Sequence, residues 1–207
     1  MARPSTREKL LDCAEQMFAD HGLEGVSLRA INAEAGLSPA ALHYHFGTKQ
    51  ALVEALLERR MPALMERRRL LLDGLDAKAT GPASVSARHV LDALMRPMAE
   101  MLAEGGRPGL RYLRFIHRLR SDGDIDEAFV AQRYPGGVDR LVPLFERALP
   151  HLPRPLIRFR MGLAIDVMLR SLATSPEARG PELVAHAEAL LDFVTGAMEA
   201  PVRGETR

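Results

Sequence analysis

Residues 27–49 read S-L-R-A-I-N-A-E-A-G-L-S-P-A-A-L-H-Y-H-F-G-T-K, and this stretch decides the fold. Its pattern predicts a short helix, a tight turn at Gly36, and a second short helix that begins at Ser38. Gly36 supplies the positive φ that the turn requires, and Pro39 suits the first helical position because its missing N–H costs nothing there. Two short helices joined through a glycine predict a helix-turn-helix, with the second helix ending near His45.

Helices are also predicted on both sides of this stretch. Ser5 or Thr6 caps a helix whose apolar residues recur at spacings of three and four, and this helix stops at His21. Thr48 caps a further helix, which is bent or interrupted near Pro62. The N-terminal part is therefore a three-helix unit, and the helix from Thr48 connects it to the rest of the chain.

The remainder of the chain also reads as helices, without the alternating pattern that is typical of strands. Breaks that include Gly74 and Gly105-Gly106 divide the sequence beyond Asp73 into about five further helices. We predict an all-α fold with two domains. These are a three-helix helix-turn-helix domain at residues 1–48 and a helical-bundle domain at residues 49–207.

Composition excludes several classes of protein. The 207 residues carry 28 basic and 27 acidic side chains, so the net charge of +1 does not by itself indicate a polyanionic partner. The single cysteine, Cys13, excludes an internal disulfide, and the scattered histidines predict no metal site. No nucleophile elbow, phosphate-binding glycine loop or pair of catalytic carboxylates is recognisable, so we predict no enzyme activity and no cofactor. Without a signal sequence or a long uncharged run, we expect a cytoplasmic protein with no membrane partner.

The second helix of the helix-turn-helix has a face that suits double-stranded DNA. Leu42 and Phe46 lie four residues apart and are predicted to face inward, which leaves the other faces free. Small residues suit the major groove because their methyl and methylene groups contact thymine methyls, while serine exchanges hydrogen bonds with base edges. The predicted groove contacts are Ser38, Pro39, Ala40 and His43, and the predicted phosphate contacts are His43, Tyr44 and Lys49.

DNA binding must rest on local charges, since residues 1–50 hold five basic and six acidic side chains. With the carboxylates facing elsewhere and helix N-termini assisting, we expect a positive edge formed by Arg3, Arg7, Arg29 and Lys49. The alternative is a helix-turn-helix with a purely structural role.

Residues from Ser5 to Leu57 resemble the DNA-binding domain of the TetR family, the tetracycline-repressor-like regulators. The resemblance is carried by V-S-L-R-A-I, A-G-L-S and A-L-H-Y-H-F-G-T-K, followed by an apolar helix that starts A-L-V. It implies that Ser27 and Arg29 lie near the DNA backbone or bases, and that Lys49 binds a phosphate.

The same resemblance implies that residues 38–40 enter the groove. The chain departs from the family pattern at His43, where tyrosine is common, and at Pro39, where a polar or basic residue is frequent. Both positions belong to the predicted DNA-contacting set, so the departures concern base reading rather than the fold.

The resemblance further implies a homodimer on a palindromic operator. Residues 156–172 and 183–198 are the two longest apolar helices near the C-terminus, and pairing them across a two-fold axis gives a four-helix interface. The residues predicted for this interface are Ile165, Met168, Leu169, Leu172, Leu190, Phe193 and Val194.

A small-molecule effector is the third partner that the resemblance implies, bound in the C-terminal half. The expected cavity lies around a methionine-rich helix, although methionines at helical spacing are also typical of an ordinary core. The absence of tryptophan and the 5% aromatic content favour an apolar or acyl-type effector over a flat cationic drug. The predicted pocket residues are Met95, Met98, Leu102, Leu113, His117, Phe145 and Met161.

Charged residues in this half leave alternatives open. Four arginines are spaced so that they share one face of a helix, namely Arg107, Arg111, Arg114 and Arg118. They either bind an anion such as an effector carboxylate, or form a solvated face that pairs with Asp122, Asp124 and Asp126. Further along, Asp166 is expected to pair with Arg170 one helical turn later.

The function predicted from the sequence is a ligand-responsive, DNA-binding transcriptional regulator, a repressor that a small apolar effector releases from its operator. The helix from Thr48 is expected to transmit effector binding to the two reading helices, which span successive major grooves roughly 34 to 36 Å apart. The alternative is a helical adaptor that binds protein partners and no longer binds DNA.

Overall fold

The computed structural model describes residues 5–78, 85–123, 132–134, 140–174 and 180–202. Within these ranges the regular structure is helical and contains no strand, which confirms the predicted all-α fold. In chain order the helices are α1 (Thr6–His21), α2 (Leu28–Glu34), α3 (Ala41–Phe46), α4 (Lys49–Glu58), α5 (Met61–Lys78), α6 (Ala87–Ser121), α7 (Leu141–Ala148), α8 (Arg154–Thr174) and α9 (Pro181–Glu199).

Short polar side chains begin three of the first four helices, as predicted for α1 and α4. Ser5, Ser27 and Thr48 are the N-caps of α1, α2 and α4, and each hydroxyl oxygen accepts a hydrogen bond from the backbone N–H three residues later, at 3.1–3.2 Å. Each cap satisfies one N–H group that the first helical turn leaves without a partner. Gly36 has a φ of 65°, which confirms the positive φ predicted for the turn between α2 and α3.

The start of α3 differs from the prediction. The helix begins at Ala41 rather than Ser38, and Ser38, Pro39 and Ala40 form a preceding turn in which the Ala41 N–H donates to the Ser38 carbonyl at 3.0 Å. Ala40 occupies the N-cap position and offers no side-chain acceptor. The Pro39 carbonyl is taken by the buried side chain of Asn32, which holds this segment outside the helix.

The helix that follows Thr48 is interrupted, in agreement with the break predicted near Pro62. Helix α4 ends at Glu58 and α5 begins at Met61, which puts Pro62 in the first turn of α5, where its missing N–H is tolerated. The connection from the helix-turn-helix to the bundle is therefore two helices rather than one long one. The helix break predicted at Gly74 is absent, since α5 continues through this residue.

The predicted break at Gly105-Gly106 is a kink inside α6. Gly106 has φ 51° and ψ −129°, a backbone conformation far from helical, while the helix continues on both sides. Gly109 packs so closely against the turn before the kink that a Cβ atom there would lie 2.4 Å from the Met101 carbonyl oxygen. Glycine is therefore required at both positions, once for conformation and once for space.

Helix α6 forms the centre of the molecule, because α1, α5, α8 and α9 all pack against it. The Phe18 ring of α1 stacks on Phe115 of α6 with centroids 6.3 Å apart, and Tyr112 lies 6.0 Å from Phe115. One hydrophobic core therefore runs from α1 into the bundle. The division at residue 48 stays a prediction from sequence, since α1 lies directly on α6.

Candidate nucleic-acid interface and bundle cavity

One buried side chain, Asn32 of α2, holds the turn that leads into α3. It is 2% exposed, its Nδ2 donates to the Pro39 carbonyl at 2.9 Å, and its Oδ1 accepts from the Leu42 N–H at 3.1 Å. The Asn32 backbone carbonyl also accepts from the Leu37 N–H at 2.9 Å. These bonds fix the turn and the start of α3 relative to α2.

Sequence reasoning missed Asn32, although a signal for it was present. Leu28, Ile31 and Ala35 mark the inward face of α2, and position 32 falls on that same face by helical spacing. A polar residue at an inward position needs hydrogen-bond partners. An asparagine there, a few residues before the turn, therefore indicates a side chain that binds backbone groups of the next segment.

The turn and the outward side of α3 form a continuous exposed surface, which we call the reading surface. Tyr44 is 85% exposed, an unusual state for a large aromatic side chain, and its ring meets that of His45 edge-on at 5.2 Å. Leu42 is fully buried and Phe46 packs against the core, as predicted. The exposed members of the predicted DNA-contacting set here are Ser38, Pro39, Ala40, His43 and Tyr44.

The basic residues predicted to contact DNA differ in whether they are exposed or already bonded within the protein. Arg29 is exposed, and the Arg7 guanidinium lies 5.3 Å from the centroid of the Phe46 ring. The Lys49 ammonium instead donates to the Leu23 carbonyl at 2.5 Å and lies 5.9 Å from the Phe18 ring. Lys49 therefore stays a predicted phosphate contact whose ammonium is already engaged inside the protein. The Ser27 hydroxyl is likewise engaged as the cap of α2, and the predicted Arg3 lies outside the described residues.

Carboxylates of α1 are gathered around arginines from later in the chain. Arg59 contacts Asp12 at 2.8 Å, Glu8 at 3.1 Å and Glu15 at 3.4 Å, and Arg111 of α6 donates from Nε to Glu15 at 2.7 Å. The Glu15 side chain is completely buried. We call these five residues the Glu15 cluster. It neutralises half of the acidic residues in the first fifty positions and ties α1 to α6.

The four arginines predicted to share one helix face of α6 have separate contacts. Arg111 belongs to the Glu15 cluster, the Arg114 Nε donates to the Ala173 carbonyl at 3.0 Å, and Arg118 lies 3.9 Å from Asp122. Arg118 makes the predicted pair with Asp122, whereas Asp124 and Asp126 lie outside the described residues and anion binding by the four arginines stays a prediction. Arg107 is exposed.

An apolar cavity of about 100 Å³ lies inside the bundle, between α5, α6 and α8. Of the predicted pocket residues, Met98 and Leu113 line it. His117 lines a neighbouring surface cleft, and the remaining members, Met95, Leu102, Phe145 and Met161, are buried in the surrounding core without lining the cavity. The cavity lining consists of Met61, Leu64, Met65, Arg68, Leu94, Met98, Tyr112, Leu113, Ile116, Arg120, Ile165 and Leu169.

Most of the set predicted for the dimer interface faces the protomer's own core. Met168, Leu172, Leu190 and Val194 are buried inside the protomer, and Ile165 and Leu169 line the cavity. Phe193 is the exception, at 65% exposure. The apolar residues that α8 and α9 present to solvent are Phe159, Leu163, Val167, Val184 and Phe193.

Asp166 of α8 also differs from its predicted pairing. Among the described residues its ion-pair partner is Arg120 of α6, rather than Arg170 one turn later. The pair lies in the surface cleft beside the cavity, a space of about 410 Å³ that His117 and Arg170 also line.

Two further properties of the described residues bear on partners. No helix there combines the length and the apolar character needed to span a bilayer. Nor do three or more His, Cys, Asp or Glu side chains in the described ranges meet in an arrangement that could hold a metal ion.

Two family models match the chain. The model described as "Bacterial regulatory proteins, tetR family" matches residues 10–56, which hold most of α1 and all of α2 and α3. The model described as "Tetracyclin repressor-like, C-terminal domain" matches residues 92–198, from α6 to nearly the end of α9. Together the two models cover both the reading surface and most of the bundle.

Relatives and solved structures agree with these matches. The HTH-type transcriptional regulator UidR of Escherichia coli (strain K12) is 28% identical over 171 residues, which are 81% of this chain and 84% of UidR. The HTH-type transcriptional repressor KstR2 of Rhodococcus jostii (strain RHA1) is 33% identical over 84 residues, 40% of this chain and 41% of KstR2. The crystal structure of the probable transcriptional regulatory protein RHA5900 has a TM-score of 0.63 at 17% identity, over 94% of this chain and 100% of that one. This last likeness shows a shared fold.

Proposed function

The chain belongs to the TetR family of DNA-binding transcriptional regulators, and we propose that it is a homodimeric repressor which leaves a palindromic operator when a small molecule enters its bundle. The observation that carries the proposal is the reading surface. A turn of small residues and an exposed α3 face are held rigidly on α2 by the satisfied, buried Asn32. Rigid placement matters because base contacts need fixed hydrogen-bond geometry.

The residues of the reading surface divide into two roles in this proposal. Ser38, Pro39 and Ala40 approach base edges in the major groove, since they are small and exposed ahead of α3. His43 and Tyr44 donate hydrogen bonds to phosphates and so fix the register of the helix. Arg29 adds positive charge, and Lys49 joins it when its ammonium exchanges the Leu23 carbonyl for a phosphate.

Dimerisation is the second element of the proposal. Phe159, Leu163 and Val167 are spaced by four on the solvent side of α8, whereas Val184 and Phe193 are exposed on opposite flanks of α9. An exposed apolar patch such as the one on α8 is typical of an interface. A two-fold axis through α8 and α9 would bury the patch in a four-helix arrangement and set the spacing of the two reading surfaces.

Coupling between effector and operator would run through α6. The cavity is lined by α6 residues, and the same helix carries Arg111, which binds Glu15 of α1. A ligand that shifts α6 therefore acts on α1 without passing through α4. We propose this route in place of transmission along one continuous helix from Thr48, and the proposed site of action is the cytoplasm.

The test is the affinity of the purified protein for duplexes tiled across the promoter region of its own gene, at fixed salt. We expect one palindromic tile to bind tightly and in a salt-sensitive way, because phosphate contacts release counterions. Tyr44→Ala and His43→Ala should each weaken binding to that tile about tenfold, because each removes a phosphate contact. His89→Ala serves as the matched control, because His89 is an exposed histidine of the bundle.

Two results would contradict the proposal. Weak binding that is equal for all tiles, and unchanged by Tyr44→Ala, would favour the alternative of a helical adaptor without operator recognition. If the wild-type protein has the mass of a monomer in solution, and Phe193→Asp has the same mass, the proposed homodimer is wrong.

A further inference from the structure

The bundle buries an arginine without a carboxylate partner. Arg68 of α5 is 4% exposed and lines the apolar cavity. Its Nη2 donates to the Leu94 carbonyl at a long 3.3 Å, and its Nη1 lies 3.5 Å from the Met65 sulfur, a weak acceptor. Its Nε is buried and finds no acceptor in the structure as described.

This arrangement is unfavourable for the empty protein. A guanidinium carries five N–H donors and a full charge, and burial is tolerated when a carboxylate accepts two of those donors side by side. No carboxylate among the described residues lies within ion-pair distance of Arg68. Desolvation alone lowers the pKa of Arg68 to about 10, which reflects the same missing partner.

The other polar groups of the cavity wall are already engaged. The Tyr112 hydroxyl donates to the Leu57 carbonyl at 3.2 Å, and Arg120 contacts Asp166. Among the polar side chains that line the cavity, Arg68 is therefore the one whose Nε donor has no hydrogen-bond partner among the described residues. A phosphate would need several such donors, whereas one carboxylate is satisfied by one guanidinium.

Size and lining restrict the rest of the ligand. Aliphatic side chains and three methionines, Met61, Met65 and Met98, line the remaining wall. The space of about 100 Å³ is smaller than the ~150 Å³ cavity that holds benzene in other proteins. Methionine side chains adapt their shape easily, so the wall can enlarge around a compact apolar body.

We propose that the bundle cavity binds a small organic carboxylate, whose carboxylate pairs with Arg68 and whose apolar body displaces the methionine side chains. The inference rests on the proposed function, because it names the chemical class of the effector. Arg120 and Leu169 line both the cavity and the surface cleft beside it, so these two side chains separate the site from the cleft. Both the attraction and the specificity come from a charge that the empty protein leaves uncompensated.

The experiment compares acids with their neutral counterparts by isothermal titration calorimetry on the full-length protein at pH 7.5. The probes are butanoate, hexanoate, octanoate and benzoate, each matched with the alcohol of the same carbon skeleton. We expect at least one carboxylate to bind about tenfold or more tightly than its alcohol, because a buried charge-assisted hydrogen-bond pair separates them.

Variants at neighbouring arginines identify the residue responsible. Arg68→Met keeps the length and apolar stem of the side chain but removes the charge, and should abolish the preference for the acid while leaving the alcohol bound. Arg69→Met is the matched control, because the side chain of Arg69 is 43% exposed and pairs with Glu66 and Asp73 outside the cavity. Arg68→Lys keeps the charge without the planar fork and should retain an intermediate preference.

The outcomes separate this inference from the proposed function. It is overturned if no carboxylate probe binds, if acids and alcohols bind equally, or if Arg68→Met keeps the wild-type preference. Operator affinity is measured in parallel on the promoter duplex. A protein that binds the operator but no carboxylate leaves the proposed function intact. A carboxylate that binds through Arg68 without weakening the operator complex supports the site and contradicts its role as the release signal.

Discussion

The DNA-reading part and the bundle each bury a polar residue, and the two residues differ in how well they are satisfied. Asn32 makes hydrogen bonds with both ends of its amide, to the Pro39 carbonyl and the Leu42 N–H. Arg68 reaches one long bond and a sulfur contact, and its Nε has no partner among the described residues. A satisfied buried group specifies one geometry, whereas an unsatisfied one favours a ligand that completes it. Asn32 therefore holds the reading surface in one arrangement, whereas Arg68 leaves the bundle with a buried charge that is incompletely paired.

Glu15 lies where these two regions meet, and it provides the largest test of the contrast. Glu15→Ala removes a fully buried carboxylate from Arg59 and Arg111, and breaking a buried pair from one side should cost about 3 kcal/mol of unfolding free energy. Urea denaturation followed by circular dichroism measures the loss. Glu8→Ala is the control, because Glu8 binds the same Arg59 with a side chain that is 44% exposed, and its loss should cost less than about 1 kcal/mol. Equal losses would mean that burial does not distinguish the two carboxylates.

The second test removes the satisfied group itself. Asn32→Ala leaves the Leu42 N–H buried without an acceptor, and we expect a loss of about 2 kcal/mol in unfolding free energy. Operator affinity should fall as well in protein that remains folded, because the turn is no longer held on α2. Glu34→Ala, at an exposed position of the same helix, should change stability by less than about 0.5 kcal/mol. Unchanged operator affinity in folded Asn32→Ala would show that the turn is held by other contacts.

The third test has the opposite sign. Arg68→Met replaces an incompletely satisfied buried charge with an apolar side chain, so the unliganded variant should be more stable by about 1 to 2 kcal/mol, or roughly 2 to 8 °C in Tm. Thermal unfolding of wild type and variant without ligand measures the difference. A clear loss of stability would mean that Arg68 is well compensated in the empty protein, and the contrast with Asn32 would fail.

The smallest effect is expected at His117, in the cleft beside the cavity. Desolvation lowers the pKa of His117, and the charges of Arg170 and Arg118 lower it further. As the pH falls, the His117 ring takes up a proton in the unfolded chain before it does so in the folded protein. The stability that the neutral ring contributes is therefore present above the ordinary pKa of histidine and is lost as the pH falls through the lowered pKa of His117. His117→Gln should therefore reduce the drop in Tm between pH 7 and pH 5, by at most about 2 °C because the ring is only half-buried. A larger drop in the variant would reverse the sign of this contribution.

The parts of the fold that depend on neighbouring residues were predictable from the sequence. The caps at Ser5, Ser27 and Thr48, the turn at Gly36 and the interruption near Pro62 all follow from local backbone chemistry. The start of α3 was not predictable in this way. It depends on Asn32, seven residues before Pro39, whose amide withdraws the Pro39 carbonyl from the helix.

Contacts between distant segments could not be derived from spacing. Arg111 satisfies the four-three-four pattern of a solvated helix face, yet it binds Glu15, which lies 96 residues earlier. In helix α8 the apolar pattern does not identify the buried face, because apolar residues point both inward, as at Met168, and outward, as at Phe159. Periodicity identifies a helix but does not say which of two apolar faces meets the core. The residues predicted for the dimer interface were taken from the inward face for this reason.

The Glu15 cluster sets a rule for exchanging parts between relatives of this chain. A chimera that received residues 1–48 from another member of the family would keep Arg59 and Arg111, which both come after the junction. Those arginines would then face whatever side chains the foreign α1 offers at positions 8, 12 and 15. A working exchange therefore has to move residues 1–48 together with the arginines at positions 59 and 111 that pair with them. DNA-binding segments are interchangeable between regulators only where these ion-pair partners match.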